Sequence, residues 1–185
     1  MAQNRAHNSE PQAQRLARLQ SNPIEAIETL LYSIDNYFNN EIRITPDYVQ
    51  TSLLFLGIHA AALTIGEVFF DNDPLNNYSD FLKIFVDGQT QDMQFSIVAD
   101  EIHNWRNILA HQWLGSSGHK IEYDYSATLG WEKRGDVLVI NPKIYCDKYL
   151  EAFAAGGRIW GYDAIFTPQQ LTDIHVRIVN KYVRK

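Results

Sequence analysis

The residues best placed to do chemistry lie in one string, His103-Asn104-Trp105-Arg106-Asn107-Ile108-Leu109-Ala110-His111-Gln112-Trp113. Arg106 offers a planar, permanently charged fork that matches a phosphate and gains in value as charge develops there. His111 offers an imidazole whose ordinary pKa lets it accept or return a proton near neutrality. Asn107 can orient His111 or hold a phosphate oxygen. Together these supply what metal-free RNA cleavage needs. A base takes the 2′-hydroxyl proton, an acid protonates the departing 5′-oxygen, and a cation steadies the phosphate. Asp100, His103 and Asn104 share the polar side of the string and form a face for RNA or a partner.

Other chemistries find no support. There is no glycine-rich phosphate loop, nucleophile elbow, His-Glu-x-x-His or Cys-x-x-Cys. His103 and His111 share a face with Asp100, but eight helical residues separate them by about 12 Å, too far for one ion. His59 and Glu67 sit in an apolar segment, where ordinary hydrogen bonds at the core edge account for them. No metal and no cofactor is expected.

The elements that must hold the string follow from periodicity and punctuation. Residues 1–22 are polar, with Arg5, Arg15 and Arg18 against Glu10, and read as a flexible arm with at most a short helix near Leu16 and Leu19. Asn22-Pro23 caps a helix carrying Ile24, Ile27, Leu30, Leu31, Ile34 and Phe38 and ending at Asn39-Asn40. Thr45-Pro46-Asp47 opens a second helix, apolar nearly all round from Val49 to Phe70. It is long enough to span a bilayer, yet holds His59 and Glu67 and lacks Lys or Arg anchors, so a buried bundle helix is expected and no membrane. Asp71-Asn72-Asp73-Pro74 stops it, and a shorter helix runs from Tyr78 to Val86.

Residues 92–114 read as one helix of about six turns, with Phe95, Val98, Ile102, Trp105, Leu109 and Trp113 within an arc of roughly 80°. Trp105 and Leu109 should be buried against the second helix, with Asn107 and His111 turned away. Gly115-Ser116-Ser117-Gly118 ends the helix. Strand patterns at Lys120–Tyr125, Leu129–Lys133 and Val137–Ile140 bracket an Arg134-Gly135-Asp136 turn, a strand-rich insertion over about 119–141. Helices from Pro142 to about Ala155 and after Thr167-Pro168 complete the chain. The fold class is mainly α, a helical bundle over 23–185 with a small β-hairpin and strand insertion.

Composition sets the outer bounds. The chain has 185 residues, 45% hydrophobic and 21% charged, a globular balance that excludes collagen-like and wholly disordered classes. A net charge of −6 disfavours a broad basic surface for nucleic acid, while leaving room for a small local site. One cysteine, Cys146, cannot make an internal disulfide, and no leader pattern opens the sequence, so a cytoplasmic location is expected.

Arg106-Asn107 followed by an apolar stretch and His111, late in a helical core, resembles the Arg-x4–6-His signature of the HEPN superfamily. The resemblance spans roughly residues 23–155 in architecture and a handful of residues in motif. It implies a HEPN-like bundle and a metal-independent endoribonuclease in a toxin–antitoxin or defence setting, with Arg106, Asn107 and His111 as the catalytic group. It also implies a homodimer with the site at its interface, RNA or a nucleotide as ligand, and a cognate antitoxin protein as partner. Arg106 and His111 are about 140° apart on a regular helix, which suits a site completed by a second chain. The polar stripe Asp100-His103-Asn107-His111 is then expected to face its symmetry mate. Trp113 stands where many toxin-type members carry tyrosine. The alternative is a non-catalytic HEPN-like dimeric module that binds a nucleotide or protein partner.

Overall fold

Asn22 ends one helix and starts the next. Its backbone N–H donates to Arg18 O at the end of α1 (Gln12–Ser21), and its side chain accepts from Glu25 N at the start of α2 (Pro23–Ser33). The computed structural model describes residues 10–44, 51–112 and 121–183, and not the side chains of 44, 51 and 109–112. The Thr45-Pro46-Asp47 cap, the Gly115–Gly118 stop and Trp113 lie outside the described residues.

Helix α1 is the short helix expected near Leu16 and Leu19, and it is docked where a flexible arm was expected. Leu19 is buried, Arg18 pairs with Glu10 and Glu25, and the Leu19 carbonyl meets His175 Nε2 at 2.8 Å. Leu19 and the partly buried Leu16, with two polar ties to α2 and α9, are enough to dock a short helix that composition alone makes look mobile. Helix α2 continues through a π-helical stretch (Ile34–Asn39) into α3 (Asn40–Ile44), so the first long helix does not stop at Asn39-Asn40. Asn39 is fully buried, where it accepts from Tyr149 Oη at 3.0 Å and donates to Asp35 at 3.0 Å.

Helix α4 (Thr51–Phe69) is the central element, packed against α5 (Pro74–Phe81), α6 (Ala99–Gln112), α7 (Pro142–Phe153) and α9 (Pro168–Ile178). Gly66 lets α5 approach, because a Cβ there would lie 2.6 Å from the Asn77 carbonyl oxygen. Its last carbonyls are not left open. Arg177 donates from Nε to Val68 O at 2.7 Å and from a terminal nitrogen to Phe69 O at 3.3 Å. Ser52–Phe69 has the length and mean hydropathy (1.7) of a membrane span, and half of it is buried inside the fold.

Asp73 does more than stop α4. Its side chain accepts from Leu75 N and Asn76 N and caps α5, which starts at Pro74, earlier than Tyr78, and runs on through a π-helical turn (Leu82–Val86).

The expected single helix over 92–114 is also corrected. Gln91–Met93 and Phe95–Val98 form 3₁₀ turns, and α6 starts only at Ala99. Phe95, Val98 and Ile102 are all buried, so the expected apolar line runs from the 3₁₀ turn into the first turn of α6. Ala99 and Ile102 are buried, and Trp105 is only half-buried.

The insertion forms a three-stranded sheet in the order β1-β3-β2. Strands β2 (Trp131–Arg134) and β3 (Val137–Ile140) make the expected hairpin, with Gly135 at φ 66° in the turn. Strand β1 (Ile121–Tyr123) pairs with β3 in parallel, Ile121 beside Leu138. Asn141 then caps α7, which buries Tyr145, Cys146, Tyr149 and Phe153. A 3₁₀ turn (Arg158–Gly161) and the short α8 (Tyr162–Ile165) lead to α9, which opens with a Thr167–Gln170 capping box. The fold is mainly helical with a small strand insertion.

Candidate functional site

Helix α6 presents two faces, and their division decides what the site contains. At 100° per residue, Ala99, Ile102, His103 and Arg106 fall within an arc of about 100°. This is the side that meets α4 and α5, and it carries two polar residues inward. The outer side holds Asp100 and Asn104, both exposed. The insertion braces the same helix, with Trp105 Nε1 donating to Tyr123 Oη at 2.6 Å and Lys133 pairing with Glu101 at 2.8 Å.

His103 therefore does not lie on an open polar stripe. It is half-buried, and its Nδ1 lies 3.0 Å from Nε2 of His59, which projects from the middle of α4 and is fully buried. The Tyr78 ring covers His59 with centroids 4.3 Å apart, and the Tyr78 hydroxyl bonds that of Tyr145 at 2.8 Å. A charge on His59 would be enclosed by apolar walls and would face His103 and Arg106. Burial, then those two neighbours, push its pKa down to about 3. His103 is lowered too, by burial and by Arg106, with Asp100 and Asp73 opposing. Both rings are uncharged at neutral pH.

Arg106 is half-buried and donates from a terminal nitrogen to Asn107 Oδ1 at 3.0 Å. Its Nε is buried and has no hydrogen-bond partner among the described residues. His59 Nδ1 is in the same condition. A buried N–H of a guanidinium lacking an acceptor is costly.

The structure thus brings Arg106, Asn107 and His103 together, leaves Asp100 and Asn104 on the outer side, and adds His59. His111 is in the last turn of α6, and its side chain lies outside the described residues. The helix is regular from Ala99 to Gln112, so the angular offset of about 140° between positions 106 and 111 holds. A single histidine in an apolar helix was a visible signal at position 59. Its partner on a helix 44 residues later was not. Among the described residues, no group of three or more His, Cys, Asp or Glu is arranged to hold a metal ion.

No protein family, curated protein or solved structure matches the chain.

Proposed function

We propose that the chain is a HEPN-type, metal-independent endoribonuclease, working outside the membrane as a cytoplasmic homodimer in a toxin–antitoxin or defence setting with a cognate protein partner. The observation that carries this reading is Arg106. Its buried Nε has no acceptor among the described residues, so an anion, and above all a phosphate oxygen, would relieve the guanidinium. Asn107 holds one terminal nitrogen of the fork and so fixes its plane.

In the reaction, His111 takes the proton of the 2′-hydroxyl as its oxygen attacks the adjacent phosphorus. The bond to the 5′-oxygen breaks, and His111 delivers the proton that this oxygen needs. Arg106 bears the charge gathering on the phosphoryl oxygens. Because positions 106 and 111 diverge around a regular helix, each site takes Arg106 from one chain and His111 from the other.

The test uses single-stranded RNA in excess EDTA, with products expected to end in 2′,3′-cyclic phosphate. Arg106→Ala and His111→Ala should each lose about 10²-fold or more. Mixing the two inactive variants should restore part of the activity, since one heterodimer site is then intact. Failure to cut any RNA, with nucleotide or protein binding lost in the same variants, would favour the non-catalytic module.

A further inference from the structure

Arg106 and His111 diverge on α6, but Arg106 and His103 do not. Three residues apart, they are about 60° from each other around the axis and both lie on the inward side of one chain. His103 has two ring nitrogens, and the contact with His59 uses Nδ1. Only Nε2 remains for a ligand.

The contact with His59 also settles which proton Nε2 carries. One of the two rings must donate across the 3.0 Å contact. If His103 donated, His59 would keep its proton on Nδ1, a fully buried N–H with no acceptor among the described residues. If His59 donates from Nε2, its buried Nδ1 is a bare lone pair, the more tolerable orphan. His103 then carries its proton on Nε2 and presents a neutral N–H donor. One turn further along the same side of α6, Arg106 Nε is a second donor that nothing described accepts.

We propose that His103 Nε2 and Arg106 Nε form a two-donor seat for a phosphodiester oxygen, complete within one chain, in which His59 is the positioning residue for His103. The proposal rests on Arg106 as the phosphate-binding group and adds the residues that share the load. The groups facing His103 are His59 from α4, Tyr78 and Asp73 from α5, and Asp100 and Arg106 from its own helix. Burial and Arg106 outweigh the two carboxylates, so the ring stays neutral and Arg106 supplies the seat's one positive charge. One positive charge matches a singly charged phosphodiester better than a dianionic phosphate.

The test titrates ¹⁵N-labelled full chain with a 2′-O-methyl dinucleoside monophosphate, which carries one phosphodiester and cannot cyclise, and separately with inorganic phosphate. The His103 ring should show the Nε2–H tautomer throughout. The diester should shift the His103 and Arg106 Nε signals and leave His175, tied to the Leu19 carbonyl, unmoved. His59→Phe keeps an aromatic ring against Tyr78 but removes the donor. It should scramble the His103 tautomer, raise the His103 pKa and weaken diester binding about tenfold, the worth of one hydrogen bond. His103→Ala, at a half-buried position that should tolerate it, should weaken binding similarly. Arg106→Lys should do the same despite keeping its charge.

A His103 ring protonated on Nδ1, or diester shifts that spare both residues, would overturn the seat. So would unchanged binding in both His59→Phe and His103→Ala, and if Arg106→Ala alone stopped RNA cleavage the nuclease reading would survive without it. Diester binding through His103 and Arg106 in a protein that cuts no RNA would keep the seat and remove the nuclease. Tighter binding of inorganic phosphate would overturn the diester assignment.

Discussion

The 3.0 Å contact between His59 Nε2 and His103 Nδ1 joins the middle of α4 to the second turn of α6 through two uncharged rings. An ion pair at this place would charge each partner a large desolvation cost. A neutral imidazole pair avoids that cost but gains a pH limit, because either ring becomes a buried cation once protonated.

That limit gives a stability test. His59 has a folded-state pKa of about 3, against 6.5 when unfolded, so the unfolded chain binds its proton first as pH falls. Its contribution is complete above about pH 6.5 and is lost progressively as pH falls towards 3, with a slope approaching ~1.4 kcal/mol per pH unit. At pH 7, His59→Phe should cost about 1 kcal/mol for the lost hydrogen bond. In urea unfolding, the gap between wild type and variant should shrink below pH 7, close near pH 6 and be reversed by pH 5. A gap that stays constant with pH would show that His59 is not held neutral.

Arg106 should be worth less to stability than to function. Its buried Nε lacks an acceptor among the described residues, so replacing Arg106 with an apolar side chain of similar length removes a desolvation penalty. Arg106→Met should be neutral or stabilising by up to about 1 kcal/mol, while binding and cleavage are lost. A thermal midpoint several degrees below wild type would mean that Arg106 is a structural residue.

Gly66 marks the closest approach of α4 and α5. In Gly66→Ala the new Cβ would lie 2.6 Å from the Asn77 carbonyl oxygen, a backbone atom that cannot swing aside. Helix propensity returns up to about 1 kcal/mol, but overpacking costs about 1–3. Net destabilisation is expected from the urea midpoint, together with faster amide exchange in α5. Equal or greater stability would mean that the two helices can separate freely at this point.

Local signals made much of the fold legible. Asn22, Asn141 and Thr167 cap helices as their side chains and following prolines indicate, and Gly135 makes the hairpin turn. Signals that depend on distant partners were not legible. The docking of α1 hangs on Leu19 and on a bond from a residue 156 positions away. The parallel pairing of β1 with β3 has no local mark beyond alternation. The inward side of α6 was misjudged because α4 and α5 both pack on it, which takes in His103 and Arg106 beside Ile102 and leaves Trp105 half-buried against Tyr123. Arg106, Asn107 and His103 were visible as candidates from residue chemistry, whereas the pairing of His103 with His59 came only with tertiary contact.

The closing role of α9 bears on how the protein is made. Synthesis delivers α1, α2 and α4 first, yet the polar ends they need come from His175 and Arg177. Until Pro168–Ile178 has cleared the ribosome, the Val68 and Phe69 carbonyls lack their arginine and the face of α2 that meets α9 lies open. The nascent polypeptide thus carries sticky surface through most of its elongation, and a stall before Pro168 would expose that surface to chaperones and proteases.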